Sequence, residues 1–141
     1  MQMKHLSIEG KKIMDTMTDG VNDYDQAKKI QNNPSKSIMA VHVEMISKNS
    51  QGPVYSITHY YEQEGDLMRD PDMTFLKGGD GEYYPLTFRQ DSLGIDQDAI
   101  VWAENGDIKG FNSKMQADFV SFANGWMKNI RDQQGLKVKG E

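Results

Sequence analysis

The chain has no cysteine. That excludes a disulfide framework, a thiol nucleophile and a cysteine-ligated zinc. No window approaches the roughly 18 apolar residues of a membrane-spanning helix. The opening segment, MQMKHLSIEGKK, lacks an apolar core of signal-peptide length, so the expected setting is the cytoplasm. The sequence motifs of several familiar chemistries are also missing. There is no G-x-x-x-x-G-K-[ST] phosphate loop, no G-x-G-x-x-G, no H-E-x-x-H, no G-x-S-x-G and no calcium-binding EF-hand loop. Gly78-Gly79-Asp80-Gly81 is rich in glycine, but it lies between two strand-like runs with no helix N-terminus after it to hold a phosphate. An excess of basic residues is lacking as well. The formal net charge is −5, which argues against a general nucleic-acid binder, since that needs a basic face to displace counterions. No acidic run is long enough to imitate a nucleic-acid backbone by itself.

What is present is a chain of 141 residues, the length of one domain. About residues 1–25 form a less typical N-terminal segment of it, and its last six residues, Leu136 to Glu141, read as a frayed tail. Apolar residues are 37% of the chain and mean hydropathy is −0.72. They are clustered and periodic, which indicates a folded domain with polar loops. The chain carries ten methionines. Met14, Met17, Met39, Met45, Met68, Met73, Met115 and Met127 fall where core positions are expected and read as gap fillers.

The periodicity predicts an α+β protein: an antiparallel meander of about five to seven strands, with a short N-terminal helix and a long C-terminal helix packed on one face. Leu6 to Met17 reads as an amphipathic helix capped by Ser7 and weakened by Gly10. Asp25 to Gln31 is ambiguous, with a hairpin arm preferred over a second short helix. Ile38 to Ser47 alternates as a strand, with Met39, Val41, Val43 and Met45 on one face and Ala40, His42, Glu44 and Ile46 on the other. Val54 to Glu62 is the next strand, paired antiparallel with it. Its faces carry Tyr55, Ile57, His59 and Tyr61 against Val54, Ser56, Thr58 and Tyr60. Asp70-Pro71 confines the following strand to about Asp72 to Leu76, or forces a bulge if it starts earlier. Glu82 to Gln90 returns as a strand, with Pro85 marking an edge or a bulge. Asn105-Gly106 between two short apolar runs predicts a type I′ hairpin. Met115, Phe119, Phe122, Trp126 and Ile130 define the last helix, about Ser113 to Gln134. Ser113 and Gln116 read as its capping box and Gly135 as its stop.

Site-like chemistry concentrates between Val54 and Gly94. His42 and His59, on neighbouring strands, would share a face and hold a metal with one carboxylate if the register allowed. Asp66, Arg69, Asp70 and Asp72 form a charged joint. Its carboxylates suit acid–base work or a divalent cation, and equally suit turn capping with a local ion pair. Arg89 and Asp91 read as a cross-strand pair or an anion-binding arginine. The tyrosine pairs 60–61 and 83–84 place one ring on each side of the sheet, so one ring of each pair should avoid the core. Exposed rings of that kind suit protein recognition. The candidate binding residues are therefore His59, Tyr61, Asp66, Arg69, Asp70, Asp72, Arg89 and Asp91. No catalytic residue, metal ligand or cofactor is assigned.

The segments MAVHVEMI, ITHYYEQEGDLMRDPDMTF, YYPLTFRQDSLG and WMKNIRDQQGL resemble a family of small bacterial proteins known only as a domain of unknown function. The specific parts are the H-Y-Y-x-Q-x-G-D-L-M-x-D-P-[DE]-M block at His59 to Met73 and the Y-P-L-x-F-x-Q-D-S-L-G block at Tyr84 to Gly94. The resemblance covers about residues 26 to 136. It implies a setting among accessory genes of plasmids, integrative elements and phage-like regions, and it brings no activity, cofactor or catalytic residue. The function expected is that of a non-enzymatic protein-binding or regulatory module with a protein partner, no membrane association and room for a homo-oligomer. The alternatives are a metal-dependent hydrolase or nucleic-acid-processing enzyme centred on His59 with Asp66, Asp70 or Asp72, and an inhibitor of a host defence nuclease.

Overall fold

The computed structural model describes residues 2–35 and 38–138. It is an α+β arrangement. Six strands form an antiparallel sheet in the order of the sequence: β1 (Lys28–Ile30), β2 (Val41–Asn49), β3 (Gly52–Gln63), β4 (Asp66–Lys77), β5 (Tyr83–Gln90) and β6 (Ile95–Asp98). β7 (Ile100–Trp102) and β8 (Ile108–Phe111) make a separate two-stranded sheet. Helices α1 (Ile8–Thr18) and α2 (Ser113–Gln134) cover one face of the large sheet. Among the described residues no helix is long and apolar enough to cross a membrane.

The register explains the core. Val41, Val43 and Met45 stand beside His59, Ile57 and Tyr55 of β3, and Ile57 and Tyr55 stand beside Met73 and Phe75 of β4. Apart from His59 these are apolar or aromatic side chains buried against the helices. Phe119 of α2 stacks on Phe88, with centroids 6.1 Å apart. The Tyr83 hydroxyl donates to Asp15 of α1 at 2.7 Å and lies 3.1 Å from the Thr18 hydroxyl. α1 and α2 are joined by Glu9, which pairs with Lys128 and Arg131. The glycine at position 10 of α1 has a packing reason. A Cβ there would meet Asn124 Oδ1 at 3.0 Å, and that oxygen already accepts from the Ser7 backbone N–H.

Several boundaries differ from the sequence reading, for definite reasons. β2 starts at Val41, not Ile38. The carbonyls of Met39 and Ala40 accept from the Gln134 amide and the His59 imidazole, so side chains use what a ladder would have used. The hairpin arm preferred for Asp25 to Gln31 exists as β1, paired with β2. β4 runs straight through Pro71. The register slips opposite His59, and the Asp70–Pro71 peptide is cis. Pro85 also sits at a slip, in a strand paired on both sides, so the bulge and not the edge is what accommodates it. β3 and β4 meet in a two-residue turn, Glu64-Gly65, both at positive φ.

The Asn105-Gly106 hairpin is not of the primed kind. Only Gly106 has positive φ, and its N–H returns to the Ala103 carbonyl, giving a type I turn followed by a glycine bulge. The cap of α2 is Asn112, whose side chain accepts from the Met115 N–H at 3.1 Å. Gln116 turns inward instead. It bonds both backbone groups of Lys4 and the Pro85 carbonyl. Phe122 lies at the rim of the stripe and is 44% exposed. Gly135 stops the helix with φ 58 as expected. β6 carries no signal in the sequence, since Ile-Asp-Gln-Asp is a poor strand former. Pairing with β5 holds it in place. Val138 is buried, so the tail is docked at least that far, and the expectation for 139–141 lies outside the described residues.

Candidate functional site

The sheet face opposite the helices is open over the middle of β2 to β6. One cross-strand row reads Lys29, His42, Thr58, Asp72, Arg89, Asp96, and the next reads Glu44, Ser56, Thr74, Thr87, Asp98. Strand alternation makes both rows polar because the intervening residues fill the core. Ser56 and Thr58 are nevertheless buried and form a floor. Their hydroxyls lie 3.0 Å apart, and the Ser56 hydroxyl donates to Asp72 Oδ1 at 3.0 Å. Thr74 and Thr87 pair at 2.6 Å.

Asp72 is the centre of this face. Burial raises its carboxyl above the ordinary value, against the hydrogen bonds of Ser56 and Thr58 and the charges of Arg69 and Arg89. The two arginines are held from the side by Asp91. Its carboxylate accepts from the Arg69 N–H at 2.8 Å and from Arg89 Nε at 2.8 Å, and Arg69 Nε lies at 3.6 Å. Those donors keep the Asp91 carboxyl low, and Asp91 in turn raises Arg89 further. Tyr60 and His42 border the site, with rings 4.9 Å apart and edge-on. Burial, then the charge of Asp72, pushes the Tyr60 phenol up. Burial and Lys29 push the His42 imidazole down. On the far side the Trp102 indole N–H donates to Asp98 at 3.0 Å, and the residue stays 39% exposed.

The structure thus brings together Arg69, Asp72, Arg89 and Asp91 from the sequence candidates on the open face, sets Asp70 close enough to His59 for its charge to act on the imidazole, and leaves Tyr61 and Asp66 apart from both. His59 points to the helix face. Its Nδ1 meets the Ala40 carbonyl at 3.0 Å, and burial lowers its pKa. His42 pairs with Thr58, not with His59, so the two imidazoles lie on opposite faces and cannot share a metal. Tyr61 alternates onto the side away from Tyr60, and its hydroxyl donates to Gln63 Oε1 at 3.5 Å. Asp66 is exposed at the start of β4. Asp70 lies in the bulge, and its Oδ1 is buried with no hydrogen-bond partner among the described residues. No group of three or more His, Asp or Glu side chains is placed to hold a metal among the described residues. Tyr83 is fully buried while Tyr84 is half-buried, as the pairing rule requires, but Tyr60 and Tyr61 are both half-buried.

Beyond naming Tyr60 in a tyrosine pair suited to recognition, sequence reasoning does not assign Ser56, Thr58, Tyr60, Thr74, Thr87, Asp98 or Trp102 to this site. The signal exists for three of them, since alternation already puts Ser56, Thr58 and Tyr60 on one face of β3. Trp102 carries none, because the hairpin bearing it belongs to another sheet. That hairpin is tied down by the β2–β3 turn. Ser50 bonds Asp107, and the Gln51 amide accepts from the Ile108 N–H at 2.7 Å.

The profile of a family described as Domain of unknown function (DUF6908) matches residues 9–136. The match includes α1 as well as the sheet. No curated protein matches the chain, and no solved structure does.

Proposed function

We propose that this chain, which belongs to the DUF6908 family, is a non-enzymatic recognition module that holds a protein partner on the open face of its six-stranded sheet. The observation that carries this reading is the make-up of that face. Hydroxyls and charges are already hydrogen-bonded to one another around Asp72, and aromatic rings, Tyr60 and Trp102, stand on its two sides. A pre-organised polar floor with rings at its border suits a polypeptide, which offers both polar and apolar atoms. Asp91 pairs with both Arg69 and Arg89, and Asp72 and Asp96 stand opposite Arg89 on the neighbouring strands, which leaves little positive potential for a phosphate backbone. The sequence resemblance supports placing the module among accessory proteins of mobile genetic elements. The metal-dependent reading centred on His59 with Asp66, Asp70 or Asp72 gains less: Asp72 lies on the opposite face, Asp66 is exposed at the start of β4, and Asp70 alone acts on His59, with no group of three or more such side chains placed to hold a metal among the described residues.

Affinity purification from a host carrying the element tests the proposal. The wild-type chain is expected to retain a partner that Thr74→Lys with Thr87→Lys releases, while Lys substitutions on the exposed side of α2 at Ser121 and Asn129 leave it bound. Equal recovery with both variants overturns the reading.

A further inference from the structure

Two carboxylates on the open face stand beside aromatic rings. The Asp72 carboxylate accepts from the Ser56 hydroxyl and its charge acts on the Tyr60 phenol, and Asp98 accepts from the Trp102 indole. Three cations stand in or beside these rows, Lys29 at the His42 end and Arg69 and Arg89 at the centre, against the five carboxylates Glu44, Asp72, Asp91, Asp96 and Asp98, and the two arginines are engaged. Asp91 holds Arg69 and Arg89, and Arg89 is further flanked by Asp72 and Asp96 across the strands. Glu44 and Asp96 add exposed negative charge to the same two rows. The face is therefore short of positive charge, and the buried floor under Asp72 strengthens any charge interaction made there. A ring next to a carboxylate is what an alkylammonium or guanidinium group binds best, by cation–π attraction and a charge-assisted hydrogen bond together.

We propose that the open face receives an extended basic segment of the partner protein, with one lysine or arginine side chain at Asp72 beside Tyr60 and another at Asp98 beside Trp102. This rests on the protein-binding reading above and specifies what the partner presents. Asp72 and Asp98 lie two strands apart and one cross-strand row apart, so their backbone positions are separated by about 12 Å. An extended chain covers that distance in about three or four residues. The partner segment thus carries basic residues at that spacing. The same negative balance disfavours nucleic acid.

The test uses a fluorescein-labelled synthetic peptide with lysine at every third position and serine between, read by anisotropy at low salt. The full chain is expected to bind it and to ignore a glutamate–serine counterpart. Asp72→Asn and Trp102→Ala should each weaken binding about tenfold. Asp118→Asn, which removes the same charge from α2, should leave it unchanged. Equal loss in Asp118→Asn reduces the effect to net charge and overturns the proposal, as does an absence of binding by the wild type. Competition by spermine at concentrations matching the peptide overturns it in favour of a small polycation. A photo-crosslinking residue at Val101, exposed next to Trp102, separates the basic-segment inference from the protein-binding reading beneath it. An adduct to a partner segment poor in lysine and arginine overturns the basic-segment inference and leaves the binding reading standing. Unchanged partner recovery with the Thr74→Lys/Thr87→Lys variant overturns the binding reading itself.

Discussion

The His59 imidazole lies 5.4 Å from the Trp126 ring, centroid to centroid, and is tilted 68° to it. A strand residue that reads as a ligand in the sequence is thus an edge-on aromatic contact between sheet and helix. Its remaining polarity is used by the Ala40 carbonyl, just ahead of the start of β2. The contact has consequences for stability and for its pH dependence.

Burial holds the His59 pKa below its ordinary 6.5, so the unfolded chain takes up the proton first as the pH falls. Stability is full above that value and declines as the pH drops below it. His42 acts in the same direction. Urea unfolding between about pH 7.5 and pH 5 should show this decline, and His59→Gln should flatten it relative to the wild type. An identical slope in the variant would remove His59 from the explanation. Trp126→Ala, which opens the other side of the contact, should cost about 3–5 kcal/mol at any pH.

Asp72 works with the opposite sign. Burial raises its folded pKa, so its ionised form is a standing cost once the pH exceeds that value, and the cost disappears as the carboxyl protonates. Asp72→Asn keeps an acceptor for Ser56 and removes the buried charge. The variant should be more stable than the wild type at about pH 7, with the gap closing toward about pH 4. Paired chemical-denaturation curves at the two pH values check this. A more stable protein that binds less well is the expected signature of a functional carboxylate.

Gly10 and Gly125 should respond to alanine in opposite ways. A Cβ at Gly125 would meet no heavy atom within 4 Å, so Gly125→Ala should gain about 0.5–1 kcal/mol from helix propensity. Gly10→Ala must displace Asn124 and its bond to the Ser7 N–H, and should lose about 0.5–1 kcal/mol. Thermal melts of the two variants measure both signs together.

Gln116 ties the N-terminal segment to β5 through Lys4 and Pro85. Gln116→Leu removes the partner of both part-buried Lys4 backbone bonds and should cost about 1–3 kcal/mol. Hydrogen exchange should localise the loosening to residues ahead of α1, while β3 and β4 keep their protection.

Alternation and turn chemistry make most of the meander legible. The faces of β2 and β3, the Glu64-Gly65 joint and the Gly135 stop all follow from rules that act within a few residues. Asn112 is hidden as the cap because Ser113 and Gln116 match a capping box, and nothing local reveals that Gln116 is needed by Lys4. β6 is invisible because its residues favour a strand only once β5 is beside them.

The candidate site divides along the same line. The sequence by itself determined that Ser56, Thr58 and Tyr60 oppose Ile57 and His59, since side chains in a strand alternate, and that no thiol chemistry is available. Only the tertiary structure decided that His42 meets Thr58 and not His59, a matter of register, in which a shift of one residue reverses every face. It alone also decided that Asp91 reaches back to Arg69 and that Trp102 comes over Asp98. Those contacts depend on how separate strands and hairpins are brought together, and their energies arise only when the sheet has done so.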